Sequence, residues 1–260
     1  MKEQLYTLLD EAFYVGLKLV DDAFKEEGVK DLTIVGGTAT QAHILDLLSE
    51  HGKRTIDDLV QHKDVSARET IRPTDDYDLA CSLNDNKVIH RVIGKLHGYP
   101  LDVDEDHSYH IDVVREGEKR PVIKVTSYGP DAIIRLNVST KPKDLERLDT
   151  KWYNYFLEHA KPLNLSYGKV PLKMRAIKPE HLVAAKLTRY APKDMFDIHT
   201  LTNVMEDKGL KFDYEEVKKI LGLECTNQQR CTKTECFEEF PYTQKYGTFL
   251  NERRSTTARK

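Results

Sequence analysis

Two short stretches of the chain carry residue types suited to phosphate and metal chemistry. The first is Gly36-Gly37-Thr38, reached through the β-rich run Leu32-Thr33-Ile34-Val35. Glycine lets a backbone come close to a phosphate. A helix opening at Thr38 would aim its free N–H groups and the positive end of its dipole at that phosphate, and Thr38 would add a hydroxyl. The same residues also suit a tight turn with Thr38 as a helix N-cap. The second stretch is Arg72-Pro73-Thr74-Asp75-Asp76-Tyr77-Asp78-Leu79. In a strand, Asp76 and Asp78 share one face and Tyr77 and Leu79 the other. Neighbouring carboxylates repel, and a cation or a shared proton relieves them. Carboxylate oxygens suit Mg²⁺, which also grips substrate phosphates. A solvated strand edge is the alternative reading of the acidic run. Together, a phosphate cradle and an acidic pair are the minimum parts of two-metal phosphoryl chemistry.

A third stretch, Ile177 to Leu201, supplies cations. Lys186 and Arg189 are three residues apart and share a helix face. Lys193 follows beyond Pro192. As a set they would clamp a triphosphate; as an ordinary basic surface they would pair with Asp194 and Asp197. Arg72 would steady the acidic pair or reach the phosphates, or be only a surface charge.

These residues need elements to hold them. Leu5, Leu8, Ala12, Val15, Leu19 and Ala23 recur at helical spacing, which predicts a first amphipathic helix to about Gly28. A helix from Thr38 carries Ala42, Leu45 and Leu48. The polar stretch from Gly52 to Thr70 reads as an insertion with a short helix near Ile56 to Val60. Strands are expected at Asp76 to Cys81, Tyr109 to Val114, Val122 to Ser127 and Ala132 to Ser139, with a helix from Asn84 to His97. Gly117 and Gly129-Pro130 mark turns. Further on, a helix is expected at Lys143 to Ala160 and a strand at Val170 to Ile177. Pro179 suits the first position of a helix reaching about Tyr190, another helix starts near Lys193, and Asp213 with Glu216 has the form of a capping box.

The fold class expected is α+β: a mixed sheet with flanking helices over residues 1–140, then a mainly helical part over 141–223 that completes the cleft. Residues 224–260 read as an irregular segment holding Cys225, Cys231 and Cys236, with a basic tail. The cysteine spacings do not match zinc hooks.

The 260 residues carry a net charge of -3, with 39% hydrophobic and 32% charged residues. There is no global basic field, so any nucleic-acid contact would be local. No apolar run approaches the ~20 residues of a membrane span, and the acidic, amphipathic N-terminus lacks a signal-peptide layout. A cytoplasmic protein without a membrane partner is expected.

The GGT and the R-x-T-x-D-Y-D run resemble the polymerase-β-like nucleotidyltransferase superfamily. The segment from Ile177 to Leu201, with Lys186, Arg189, Lys193, Asp194 and Asp197, is similar to the branch containing the AbiEii-type toxins. The resemblance covers Leu32 to Leu201 in outline, and three short blocks of it are specific. It implies a polymerase-β-type sheet and transfer of a nucleoside monophosphate from an NTP to an acceptor (protein, RNA or small molecule), with two Mg²⁺ ions, or Mn²⁺ in their place. Asp76 and Asp78 would be catalytic and hold the metals. Gly36, Gly37, Thr38, Arg72, Lys186, Arg189 and Lys193 would bind the nucleotide. The family usually has a third carboxylate on a later strand. Asn137 stands where that group is expected, as an amide metal ligand, and Asp112 is the other candidate. The alternative is a catalytically weak nucleotide-binding regulatory or antitoxin-like protein on the same fold.

Overall fold

The computed structural model describes residues 5–61, 69–82, 86–104, 107–115, 121–126, 130–140, 151–189 and 191–222. Sixteen elements follow in order: α1 (Glu11–Glu26), β1 (Thr33–Ile34), α2 (Gly36–Leu48), α3 (Ile56–Gln61), β2 (Asp76–Ala80), α4 (Asn86–Lys95), β3 (Tyr99–Asp104), β4 (His107–Arg115), β5 (Val122–Thr126), β6 (Ala132–Ser139), α5 (Lys151–Glu158), β7 (Lys161–Tyr167), β8 (Val170–Ala176), α6 (Pro179–Arg189), α7 (Pro192–Asp207) and α8 (Tyr214–Ile220). The fold is mixed α+β. All eight strands form one sheet in the order β3-β4-β5-β6-β2-β1-β8-β7. The pairs β2–β6 and β1–β8 are parallel and the others antiparallel. Among the described residues no helix is long and apolar enough to cross a membrane.

The alternation along β2 orients the centre of the sheet. Tyr77 and Leu79 are fully buried, while Asp76 and Asp78 face the other way. On the buried face lies α1, whose Phe13, Leu17 and Val20 are fully enclosed. The Tyr77 hydroxyl donates to the Phe13 carbonyl at 2.5 Å, so the ring's one polar atom is satisfied where water is excluded. Gly16 gives α1 its close approach. A Cβ there would lie 2.5 Å from both the Tyr77 hydroxyl and a Val125 methyl. Each such large side chain contributes ~1.5–3 kcal/mol by leaving water. On the opposite face α2 runs beside β2 and packs against α6 and α7.

Several elements depart from expectation. The first helix begins at Glu11 because Tyr6 is engaged elsewhere: its N–H and carbonyl pair with Thr74 at 2.7 and 2.8 Å. The part after residue 140 is not only helical. It adds the β7–β8 hairpin to the sheet, with β8 alongside β1. Neither β7 nor β3 stood out in the sequence, and both are edge strands. β7 alternates Pro162, Asn164 and Ser166 with Leu163 and Leu165, and β3 carries Pro100 with Asp102 and Asp104; proline and charge are tolerated where one ladder is missing. The expected capping box is half made. Asp213 accepts from the N–H groups of Glu215 and Glu216, both at 3.1 Å, but the Asp213 N–H goes to Glu180 at 3.3 Å. The expected helix start at Lys143, the turns at Gly117 and Gly129, and residues 224–260 with their cysteines lie outside the described residues.

Candidate functional site

A cavity of about 630 Å³ opens on the face of the sheet away from α1. Its floor comes from β2 and β6, one wall from the start of α2, and the facing wall from α6 and the first turn of α7. Gly36, Gly37, Asp76, Asp78, Lys186 and Lys193 all line it. Four separate stretches of sequence therefore meet around one space.

Asp78 sits deepest. One carboxylate oxygen accepts the Gly37 N–H at 3.3 Å and the other the Asn137 side-chain amide at 2.9 Å. Burial, and after it the Asp76 charge, push the Asp78 carboxyl above its ordinary range; the Asn137 and Gly37 hydrogen bonds and the Lys186 charge act the other way. Asp76 is likewise half-buried, and one of its oxygens accepts the Thr74 hydroxyl at 2.7 Å. The neighbouring Asp75 forms an ion pair with Arg135.

The glycines have distinct reasons to be there. Gly36 has φ +57°, in the left-handed region, and a Cβ on it would fall 2.1 Å from an Asp78 oxygen. Only glycine lets α2 begin against that carboxylate. A Cβ on Gly37 would sit 3.1 Å from the Arg72 guanidinium. Thr38, expected to offer its hydroxyl to a phosphate, is used differently. Its side chain is fully buried and pins α2 to β2, donating to the Asp76 carbonyl at 3.3 Å and accepting the Asp78 N–H at 3.4 Å. In the first turn of α2 the side chain points back to the strand and not into the cavity.

Lys186 has the partners that the basic-surface reading named, Asp194 and Asp197, but all three are buried, and the pairing of Arg72 with Asp197 was not foreseen. Asp197 is 2% exposed and receives three donors. The Lys186 ammonium lies 2.6 Å from one oxygen, and the Nε and Nη2 of Arg72 lie 3.1 Å from the two oxygens. Asp194, fully buried, stands 3.9 Å from Lys186 and also accepts the Ala191 N–H at 3.0 Å, closing the first turn of α7. Arg72 is held further through its backbone: its carbonyl accepts from Gln41 at 3.0 Å, and Gln41 in turn accepts the Leu8 N–H at 2.7 Å. Lys193 is exposed at the rim. The side chain of Arg189 lies outside the described residues.

Asn137 pairs in register with Asp78, whereas Asp112 lies on β4, two strands beyond β6, and accepts the Gly98 N–H at 3.0 Å. Asn137, not Asp112, is thus the neighbour of the acidic pair. Among the described residues no third Asp, Glu, His or Cys makes a cluster with Asp76 and Asp78. The donor set present, two carboxylates and an amide oxygen source, suits a hard oxygen-seeking cation such as Mg²⁺. A cation there would relieve the repulsion that raises the Asp78 carboxyl.

Sequence reasoning missed Thr74 as the partner of Asp76, and it missed the apolar end of the cavity. Val35, Ala80, Ile177, Leu182 and Ala185 contribute to it from β2, α6 and the residues that follow β1 and β8. No local spacing announces residues that meet only through the β1–β8 pairing. Neither a search of protein-family models nor a comparison with curated proteins returned a match for the chain.

Proposed function

We propose that the chain is a Mg²⁺-dependent nucleotidyltransferase of the polymerase-β type, moving a nucleoside monophosphate from an NTP to an acceptor that is a protein, an RNA or a small molecule, in the manner of AbiEii-like toxins. The observation that carries this reading is the convergence of Gly37, Asp76, Asp78, Lys186 and Lys193 on one cavity. The bare backbone at Gly36 and Gly37 admits the β- and γ-phosphates. Lys186, Lys193 and Arg72 neutralise them, with Arg189 a further candidate. Asp76 and Asp78, with the Asn137 amide, would hold the metal. When bound, paired Mg²⁺ ions supply charge neutralisation at the attacking and leaving oxygens. The apolar end of the cavity suits the base and sugar. Thr74 fixes the rotamer of Asp76 through its hydroxyl, and Asn137 does the same for Asp78.

One observation favours a second reading, a regulatory or antitoxin-like nucleotide binder with little catalysis. Beside Asp78 stands an amide that donates a hydrogen bond, and an amide cannot take a proton from an acceptor hydroxyl. The two readings separate in one experiment. The protein is incubated with each labelled NTP, Mg²⁺ or Mn²⁺, and a cell extract, and the label is followed into protein, RNA and small molecules. Transfer of label with release of pyrophosphate is expected. Binding of NTP without any transfer would favour the regulatory reading, and equal NTP binding in EDTA would remove the metal site.

A further inference from the structure

We infer that Asp197 is a positioning residue of the nucleotide site: its carboxylate, set behind the cavity wall, aims Arg72 and Lys186 at the triphosphate. The inference rests on the nucleotide-binding reading above. Arg72 and Lys186 both line the cavity and Asp197 does not. The two cations come from unrelated parts of the chain, the loop before β2 and the middle of α6, and Asp197 comes from α7. All three meet through bonds of 2.6, 3.1 and 3.1 Å.

The geometry favours aiming over simple neutralisation. The Arg72 guanidinium presents its Nε and Nη2 edge to Asp197, and Nη1 donates to the Pro73 carbonyl at 3.0 Å. A planar fork held on two sides has no rotation left. The group so fixed lies against Gly37, where a Cβ would be 3.1 Å from Nη2; the cation therefore flanks the α2 terminus proposed to take phosphate. Lys186 is 4% exposed, and burying a charge so deeply is costly unless a counter-charge pairs with it. Asp197 supplies it from the side away from the cavity. Asp194, at 3.9 Å, makes a looser contact and is already used in closing the turn of α7. Without Asp197 the two like-charged heads would separate, and the phosphate-facing geometry would be lost even though both side chains remain.

Equilibrium binding tests this on the full-length protein, using inorganic tripolyphosphate with Mg²⁺ and each NTP with Mg²⁺, with a thermal melt run beside every titration. Asp197→Asn is expected to weaken binding about tenfold or more, as loss of 1.4 kcal/mol or more would do. The same substitution in an Arg72→Met background is expected to weaken it much less, because a residue acting through its partner gives non-additive effects. If Asp197→Asn fails to fold, Asp197→Glu keeps the charge and moves it by one methylene, and a similar loss of affinity with a near-normal melting temperature is expected. Binding unchanged in either folded variant, with only a lower melting temperature, would reduce Asp197 to a structural ion pair and overturn the inference. If the unaltered protein binds neither tripolyphosphate nor any NTP, the nucleotide reading itself fails and the inference goes with it.

Discussion

The two faces of β2 are built on opposite terms. Toward α1, Tyr77 and Leu79 are sealed among apolar side chains, and the Tyr77 hydroxyl is bonded to the Phe13 carbonyl. Toward the cavity, Asp76 and Asp78 are held side by side, and burial disfavours the charge on Asp78. The same five residues thus anchor the fold on one side and concentrate unfavourable charge on the other. Such stored repulsion is tolerated because the packed face offsets it, and a cation bound as proposed would relieve it.

Substitutions on each face should separate these roles. The largest effect is expected from Asp78→Asn. It should lower transfer by about 10²–10³-fold or more, with the fold intact and the melting temperature equal or slightly higher; label transfer and a thermal melt are the measurements, and near-normal turnover would show that the acidic pair is not the metal site. On the packed face, Gly16→Ala should destabilise by ~1–3 kcal/mol through overpacking. Set against the ~1 kcal/mol of helix propensity gained, this leaves a net loss of up to ~2 kcal/mol. Urea unfolding measures it, and NTP affinity of the folded fraction should be unchanged.

A smaller effect is expected from Asn137→Asp. A third carboxylate beside Asp78 should raise transfer severalfold or lower the Mg²⁺ needed for half-maximal rate, while lowering the melting temperature in EDTA. If Asp112→Ala abolishes transfer and Asn137→Asp leaves it unchanged, the neighbour of the acidic pair has no role in the chemistry.

The smallest effect concerns pH. Asp78 has its pKa raised from 3.8 by burial and by Asp76. A raised carboxyl lends stability that is full below pH 3.8 and is lost as pH rises through the folded-state value. In EDTA, the stability advantage of Asp78→Asn over the unaltered protein should therefore be least in acid, grow as pH rises through the raised value, and then level off. Melting curves across that range check this, and a difference that does not vary with pH would contradict it.

Much of the packed face was legible beforehand, and so was the acidic pair. Alternation at Asp76-Tyr77-Asp78-Leu79 decides which side chains point where, whatever the rest of the chain does. The helix expected to open at Thr38 was legible too, though it begins two residues earlier, at Gly36. The other side of the cavity was less readable. Lys186 and Arg189 share a helix face by spacing alone, but the bond from Arg72 to Asp197 joins residues far apart in sequence, and no periodicity encodes it. Thr38 was misjudged because a hydroxyl at a helix start serves a phosphate or a neighbouring strand equally well on paper. The edge strands β3 and β7 escaped notice because a half-paired strand tolerates the prolines and polar residues that normally argue against one.

β1 is two residues long, and Thr33 and Ile34 are all that join β2 to β8 across the middle of the sheet. Their partners on β8 are Arg175 and Ala176, which leave the ribosome long after β1 has been made. Pairings of such long range form late, since loop closure precedes any reward from the contact. The strands from β2 to β6 can assemble earlier, but the wall carrying Lys186 and Lys193 follows β8. A nascent chain would hold its acidic pair and Arg72 without Lys186 and Lys193 until synthesis has passed the first turn of α7. The cavity proposed to take a nucleotide would thus stay open on one side until the start of α7 has been made.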